Sequence, residues 1–196
     1  MHAYIIHGYG ASPADHWFPW LQARLQAAGI ATTIPAMPDS EHPDFAACQA
    51  TLAQAIGTPD RDTLLIAHSL GTISLLHYLS AIRTAAVGGI VLVAGFGARL
   101  PALPSIGGFD MDAYIDRCHL DDATLRRHAA HTRHLISNND YVVAPADSHA
   151  LAKRLGGTVH ELPQHGHFLS ADGIIELPAA WAALQSCING EGGNRV

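Results

Sequence analysis

Cysteine is scarce in this sequence of 196 residues. Cys48, Cys118 and Cys187 are odd in number and far apart, which favours reduced, buried thiols over a disulfide framework or a zinc site. Long apolar runs are also lacking, since none approaches the ~20 residues of a membrane-spanning helix. The first residues form neither a basic leader nor a long apolar segment. We therefore predict a cytoplasmic protein that does not enter a membrane.

Positive charge is sparse as well. There are 11 lysines and arginines against 17 aspartates and glutamates, giving a formal charge of -6, and the basic residues form no runs. This balance argues against a nucleic-acid or anionic-membrane surface and favours small-molecule partners, while it leaves open whether the chain has a protein partner. Because 48% of the residues are hydrophobic, the chain can bury a substantial core. We expect residues 1–196 to form a single domain.

Apolar runs alternate with helical patterns along the chain. The runs predict strands at residues 3–6, 31–34, 63–66, 90–93, 135–136 and 158–162. Helices are expected to begin near Phe18, Asp44, Leu70, Asp121 and Pro145, and a last amphipathic stretch covers residues 174–185. The alternation predicts an α/β fold with a doubly wound, mostly parallel sheet of about six strands and helices on both faces.

One segment fits neither a strand nor a long helix. Residues 95–120 are rich in glycine and proline, and we expect them to form a small lid or an active-site loop. The segment is short, so the fold should have little or no cap and a small pocket. Phe96, near the start of the segment, is a candidate pocket residue.

The pentapeptide at residues 67–71, AHSLG, joins a predicted strand to a predicted helix. A serine on such a turn projects its hydroxyl away from both elements, close to the backbone N–H groups that open the helix. The sequence matches the nucleophile-elbow pattern G-x-S-x-G except that Ala67 replaces the first glycine. The simpler alternative for Ser69 is a helix cap.

Two downstream residues can complete a catalytic triad with Ser69. Asp140 follows the strand around residues 135–136, and His167 follows the last predicted strand. The order Ser69, Asp140, His167 along the chain is that of α/β-hydrolases. In such a triad the histidine removes the serine proton and the aspartate orients the imidazole. His165, two residues away, is a competing base.

Further site candidates come from the first turn and the aromatic cluster after it. The backbone N–H groups of Tyr9 and Leu70 are the expected oxyanion donors. Trp17 and Trp20 can pack in the core or form a pocket wall. Core packing is the preferred interpretation, and Trp17 is kept as a pocket candidate.

Histidine is abundant, and residues 128, 131 and 134 have the spacing H-x-x-H-x-x-H. No carboxylate accompanies the three histidines. Residues spaced three apart also rotate progressively around a helix instead of staying on one face, so we predict no metal site. His68, beside the nucleophile, is interpreted as a strand residue that could help to shape the site.

At these residues the chain resembles the small, nearly cap-less α/β-hydrolases of the retinoblastoma-binding-protein type, the YdeN-like serine hydrolases. The matching motifs are HGY at 7–9, WFPW at 17–20, AHSLG at 67–71, SNND at 137–140 with VV at 142–143, and GHF at 166–168. The resemblance implies Ser69, Asp140 and His167 as the triad and favours His167 over His165. The L-x-C-x-E peptide of retinoblastoma-protein binding is absent, so that role is not carried over.

Together these features predict a serine hydrolase of the carboxylesterase type (EC 3.1.1) that needs no cofactor. Small carboxylic esters are the expected substrates, with amides or aminoacyl compounds as further candidates. A thioesterase or acyltransferase would use the same residues. A non-catalytic binding or scaffolding protein with a hydrolase fold is the alternative outside the enzymes.

Overall fold

The computed structural model describes residues 1–189, and residues 190–196 of the predicted domain lie outside the described residues. The elements, labelled in chain order, are β1 His2–Ile6, α1 Phe18–Ala27, β2 Ala31–Thr33, α2 Phe45–Ile56, β3 Thr63–His68, α3 Leu70–Ala81, β4 Gly89–Val93, β5 Ser105–Ile106, β6 Phe109–Asp110, α4 Met111–Arg117, α5 Asp122–Arg126, β7 Thr132–Ser137, α6 Pro145–Leu155, β8 Thr158–Leu162 and α7 Pro178–Ile188.

Six strands form one parallel sheet in the order β2-β1-β3-β4-β7-β8. Helices α1 and α7 pack together on one face, while α2, α3, α5 and α6 pack along the other. The predicted α/β fold with a six-stranded sheet and helices on both faces is therefore confirmed.

Strand β3 shows why the sheet needs two covering layers. All six of its residues are buried, and they alternate between two hydrophobic cores. Leu64 and Ile66 belong to the core beneath α1 and α7, whereas Leu65 and Ala67 belong to the core beneath the other helices. A strand buried on both faces reads as a continuous apolar run, which is the pattern seen in the sequence.

The strand order reverses between β1 and β3. From β1 the chain first moves outward to β2, and it then returns to the opposite side of β1 with β3. The loops after β1 and β3 consequently diverge above the sheet and leave a crevice at the carboxyl ends of the strands, which is where open α/β sheets bind ligands.

The segment between β4 and α5 has more regular structure than the sequence indicates. Strands β5 and β6 form an antiparallel hairpin around Gly107 and Gly108, and α4 follows directly. The side chain of Asp110 caps α4 by accepting the Ala113 N–H at 2.9 Å. Elements this short are stabilised by packing on the rest of the fold, so they leave little periodicity in the sequence. We call residues 96–120 the lid.

Strand β7 is longer than predicted, because polar residues extend it at its start. Thr132, Arg133 and His134 are all buried. The Arg133 guanidinium donates to the carbonyl oxygens of Ala130 and Thr132 at 2.9 and 3.1 Å, which offsets the cost of burying it. Within residues 1–189, no helix combines the length and apolarity required to cross a bilayer.

Candidate active site

Ser69 occupies the sharp turn between β3 and α3. Its backbone has φ 51° and ψ -126°, a strained conformation for a residue with a side chain. The turn is held by the Ser69 N–H, which donates to the Val93 carbonyl oxygen at 3.0 Å. Two residues later, a Cβ on Gly71 would lie 2.6 Å from the His7 carbonyl oxygen. Glycine at position 71 thus lets α3 approach the end of β1.

The structure brings Ser69, His167 and Asp140 together in one chain of hydrogen bonds. The Ser69 Oγ lies 2.9 Å from His167 Nε2, and His167 Nδ1 lies 3.0 and 2.9 Å from the two carboxylate oxygens of Asp140. Asp140 Oδ1 also accepts the N–H groups of Val142 and Val143, each at 2.9 Å. His167 is 4% exposed and Asp140 8%, so little water competes for these bonds.

The loop that carries His167 is held by a second aspartate. Asp172 Oδ2 accepts the N–H of His167 at 2.9 Å and that of Leu169 at 3.1 Å. A Cβ on Gly166 would clash with the Asp172 carboxylate. Asp172 therefore fixes the backbone on both sides of Phe168, whose φ is 59°. Sequence reasoning missed Asp172, because only the tertiary turn places it there.

His68 supports the same loop from the strand side. Its Nε2 lies 2.9 Å from the His167 carbonyl oxygen, and its ring lies 4.9 Å from the His167 ring. Burial lowers the pKa of His68 well below its ordinary value, and the neighbouring His167 adds to that effect. The neutral ring therefore donates Nε2–H to the carbonyl, which leaves Nδ1 buried without a partner in the described part of the chain.

The Gly8–Tyr9 peptide lies beside the elbow. A Cβ on Gly8 would be 3.0 Å from Ser69 Cβ and 3.2 Å from the Leu70 nitrogen. His7 controls the orientation of this peptide. Its Nε2 accepts the Met37 N–H at 3.0 Å, so the proton of the neutral ring is on Nδ1, which lies 3.0 Å from the Gly8 carbonyl oxygen.

The Tyr9 N–H belongs to the same peptide unit as that carbonyl. Because the unit is planar and trans, the bond from His7 to the Gly8 oxygen turns the Tyr9 N–H in the opposite direction. Burial lowers the pKa of His7, which favours the neutral ring that this arrangement requires. Sequence reasoning selected Tyr9 and Leu70 but did not identify His7 as the residue that orients the turn.

Ser69 and His167 line a cavity of ≈ 250 Å³. The lid supplies much of its wall through the apolar side chains of Phe96, Leu100, Leu103, Ile106 and Met111. Among the described residues that line it, none is Asp, Glu, Lys or Arg. Phe96, the candidate pocket residue, is thus on the cavity wall.

The structure corrects the assignment of Trp17 to the pocket. Its side chain is fully buried beneath α1 and packs edge-on against Phe18 with ring centroids 4.7 Å apart. An indole with no exposed surface cannot contact a ligand, so the core interpretation applies. The Ser69 hydroxyl lies against His167, whereas His165 Nδ1 lies 2.7 Å from the Pro163 carbonyl oxygen.

The three histidines with regular spacing do not converge. His128 Nε2 bonds to the Thr84 carbonyl oxygen at 3.1 Å, and His134 Nε2 bonds to that of Gly156 at 2.9 Å. Across residues 1–189, no three His, Cys, Asp or Glu side chains are placed to share a metal ion.

A nucleophile elbow at the carboxyl edge of a parallel sheet flanked by helices is the architecture of the α/β-hydrolases. Residues 3–186 match the family model described as serine hydrolase. The YdeN protein of Bacillus subtilis strain 168 is 34% identical over 189 residues, which cover 96% of both chains. The crystal structure of the B. subtilis ydeN gene product matches with a TM-score of 0.88 over 96% of this chain and 98% of that one. The chain belongs to the serine hydrolase family, and its resemblance to YdeN-like hydrolases is confirmed.

More distant structures share the fold. Est1E of Butyrivibrio proteoclasticus has a TM-score of 0.70 at 13% identity, over 98% of this chain and 88% of its own. Mouse alpha/beta hydrolase domain-containing protein 10 has a TM-score of 0.67 at 16% identity, over 96% of this chain and 89% of its own. At these identities the likeness concerns the fold alone.

Proposed function

We propose that this serine hydrolase is a carboxylesterase (EC 3.1.1) that cleaves small, uncharged esters through an acyl-enzyme on Ser69. The observation that carries the proposal is the hydrogen-bonded series Ser69, His167 and Asp140 at the wall of an apolar cavity. A nucleophile, a base and a group that orients the base are the three parts that acyl transfer requires.

In the first step, Ser69 Oγ attacks the ester carbonyl carbon while His167 Nε2 takes the serine proton. The carbonyl oxygen becomes an oxyanion, and the N–H groups of Tyr9 and Leu70 stabilise it. Asp140 stabilises the imidazolium through Nδ1. When the intermediate collapses, the bond from carbon to the alkoxy oxygen breaks and His167 gives its proton to the leaving alcohol.

Water completes the cycle. His167 removes a proton from a water molecule that attacks the acyl carbon, and the bond from that carbon to Ser69 Oγ then breaks. Ser69 recovers its proton from His167, and the carboxylic acid leaves. Each step uses side chains and backbone groups of this chain, so the proposed reaction calls for no metal or organic cofactor.

The cavity supports an uncharged acyl group. Its lid wall consists of apolar side chains, and no carboxylate among the described lining residues could pair with the ammonium group of an aminoacyl substrate. Moving an unpaired charge into such a site is costly. Simple carboxylic esters are therefore the proposed substrates in preference to aminoacyl compounds.

A fluorophosphonate probe and an activated ester test this proposal. The wild type should be labelled once, at Ser69, and Ser69→Ala should abolish labelling and lower ester turnover by about 10³-fold or more. A matched substitution, Ser12→Ala, removes an exposed serine and should leave both readouts unchanged. Labelling that persists in Ser69→Ala would place the nucleophile at another residue, whereas a wild type that is neither labelled nor active would favour a binding protein with a hydrolase fold.

A further inference from the structure

His16 lies on the wall of the cavity that contains Ser69, and its backbone is in the left-handed region with φ 54°. Such a conformation is energetically unfavourable for a residue with a side chain and is concentrated at functional sites. The ring contacts Phe18 and His68 edge-on, with centroids 5.4 and 6.1 Å away. The fold thus fixes this imidazole in place at an energetic cost.

The hydrogen bonds of His16 define its tautomer. The Ser170 N–H donates to His16 Nδ1 at 3.1 Å, and the Ser170 hydroxyl lies 3.3 Å from the same nitrogen. Because Nδ1 accepts, the proton of the neutral ring is on Nε2. Burial lowers the pKa of His16, which favours the neutral ring near pH 7.

The Nε2–H donor of His16 is uncommitted. It has no hydrogen-bond acceptor within residues 1–189, and it is not among the polar atoms shut off from solvent. Other polar side chains of the cavity are already paired. The Tyr9 hydroxyl donates to the Ile106 carbonyl oxygen at 3.2 Å, and His68 donates to the backbone of His167.

The position of His16 indicates which part of the ester it can contact, the acyl group or the leaving alcohol. Its ring stands next to that of His68, which in turn stands next to that of His167. In the proposed reaction His167 protonates the leaving alcohol, so the alcohol must lie against His167. His16 is therefore on the leaving-group side of the cavity.

We propose that His16 is a substrate-binding residue whose Nε2–H donates to an oxygen atom in the alcohol portion of the ester. The preferred substrates are then esters whose leaving alcohol carries an ether, hydroxyl or carbonyl oxygen near the scissile bond. This inference rests on the proposed esterase function and adds a leaving-group preference to it.

Two pairs of butyrate esters test the proposal, because each pair differs only by a methylene replaced by oxygen. They are 2-methoxyethyl with butyl butyrate, and 3-methoxypropyl with pentyl butyrate. In the wild type, kcat/KM should favour the oxygen-containing member of at least one pair by about three- to tenfold, the value of one hydrogen bond. Each ratio is divided by the same ratio in alkaline hydrolysis, which removes the difference in intrinsic reactivity.

Two substitutions separate the two roles of His16, namely the Nε2–H that donates to the substrate and the Nδ1 that accepts the Ser170 N–H. In His16→Asn the amide can still accept the Ser170 N–H and tolerates positive φ, but its side chain is too short to reach the Nε2 position. In His16→Gln the amide nitrogen can reach that position. In His16→Asn we expect the corrected ratio of kcat/KM between the oxygen-containing ester and its methylene analogue to fall to about one. In His16→Gln we expect some preference for the oxygen-containing ester to remain. His42→Gln, on the exposed surface, should keep the wild-type ratio.

The outcomes are distinguishable from a failure of the esterase function. Hydrolysis of butyl butyrate by the wild type, and its loss in Ser69→Ala, tests that function independently of His16. If the wild type shows no preference in either pair, the role of His16 is wrong even if a variant fails to fold. A preference that persists in His16→Asn would equally overturn it.

Discussion

A Cβ atom on Gly71 would lie 2.6 Å from the carbonyl oxygen of His7 and 2.7 Å from that of Ile6. Helix α3 therefore packs directly on the backbone at the end of β1, which positions the elbow against the HGY turn. Helix propensity alone predicts that Gly71→Ala stabilises the protein by about 1 kcal/mol. We expect the reverse, a loss of about 2 kcal/mol or more in the free energy of unfolding, because backbone atoms must move. Denaturant unfolding measures the change.

Gly29→Ala is the matched control for that substitution. Gly29 has a φ of 76° but no atom within 4 Å of its Cβ position, so alanine there adds backbone strain without a clash. It should cost about 1 kcal/mol and leave esterase activity intact. Equal or greater stability of Gly71→Ala would contradict the packing argument.

Substitution of His167 should remove most of the activity, whereas substitution of His165 should not. A general base contributes about 10²- to 10⁴-fold, and His167 lies 2.9 Å from the Ser69 hydroxyl. His165 bonds to the Pro163 carbonyl oxygen instead. We expect kcat/KM for a soluble butyrate ester to fall at least a hundredfold in His167→Ala and less than about threefold in His165→Ala. The opposite pattern would exchange their roles.

His7 should affect kcat rather than KM. His7→Phe removes the donor that holds the Gly8 carbonyl, so the Tyr9 N–H, the proposed oxyanion donor, loses its orientation. One oxyanion donor is worth about 10²–10³ in kcat, and its misorientation should cost about ten- to a hundredfold, with KM nearly unchanged.

His7→Asn provides the comparison for His7→Phe. Both variants lose the acceptor for the Met37 N–H, but the Asn amide can still donate to the Gly8 oxygen from the Nδ1 position. Higher kcat in His7→Asn than in His7→Phe is expected. Identical losses in the two would show that His7 acts only through the stability of the fold.

The size of the cavity should limit the acyl chain. Each methylene buried against the lid gains ~0.8 kcal/mol until the space is filled, so we expect butyrate esters to be hydrolysed better than octanoate esters. Met111→Ala should enlarge the cavity and raise the relative kcat/KM for longer acyl chains. Leu125 is buried but does not line the cavity, so Leu125→Ala should leave the dependence of kcat/KM on acyl-chain length unchanged. A wild-type optimum at eight or more carbons would refute the size limit.

Acid should destabilise the protein through its buried histidines. Burial lowers the pKa values of His7, His68 and His134 in the folded state, whereas in the unfolded chain they are near 6.5. Below about pH 6.5 the unfolded state therefore binds more protons, and the free energy of unfolding falls as the pH decreases from 7 to 5. Each group contributes up to about 1.4 kcal/mol per pH unit.

Denaturant unfolding at several pH values measures this dependence. His68→Phe should reduce the slope, because it removes one of the buried groups. His42→Gln removes an exposed histidine and should leave the slope as it is in the wild type. A free energy of unfolding that is constant between pH 5 and 7 would mean that these histidines do not titrate differently on unfolding.

The sequence was sufficient to predict the main strands and helices and their arrangement in an α/β fold. Strands such as β3 and β4 are buried on both faces, so their composition is apolar whatever the detailed packing, and Pro145 and Asp44 mark helix starts by local chemistry. The elbow was also recognisable, because the residue two positions after Ser69, Gly71, must be small where α3 meets β1. Asp140 and His167 could be selected as candidates because parallel strands place the loops that follow them at one edge of the sheet.

Tertiary structure alone decided which groups support those residues. The lid hairpin and α4 are too short to leave a periodic pattern. Only the tertiary structure shows that their apolar side chains face the cavity. Asp172 contacts His167 through backbone N–H groups, which any residue type presents. The tautomers of His7, His16 and His68 depend on partners distant in the chain, namely Met37, Ser170 and the His167 carbonyl. Local sequence pattern fixes elements and strand ends, whereas hydrogen-bond direction is set by what the fold places opposite each side chain.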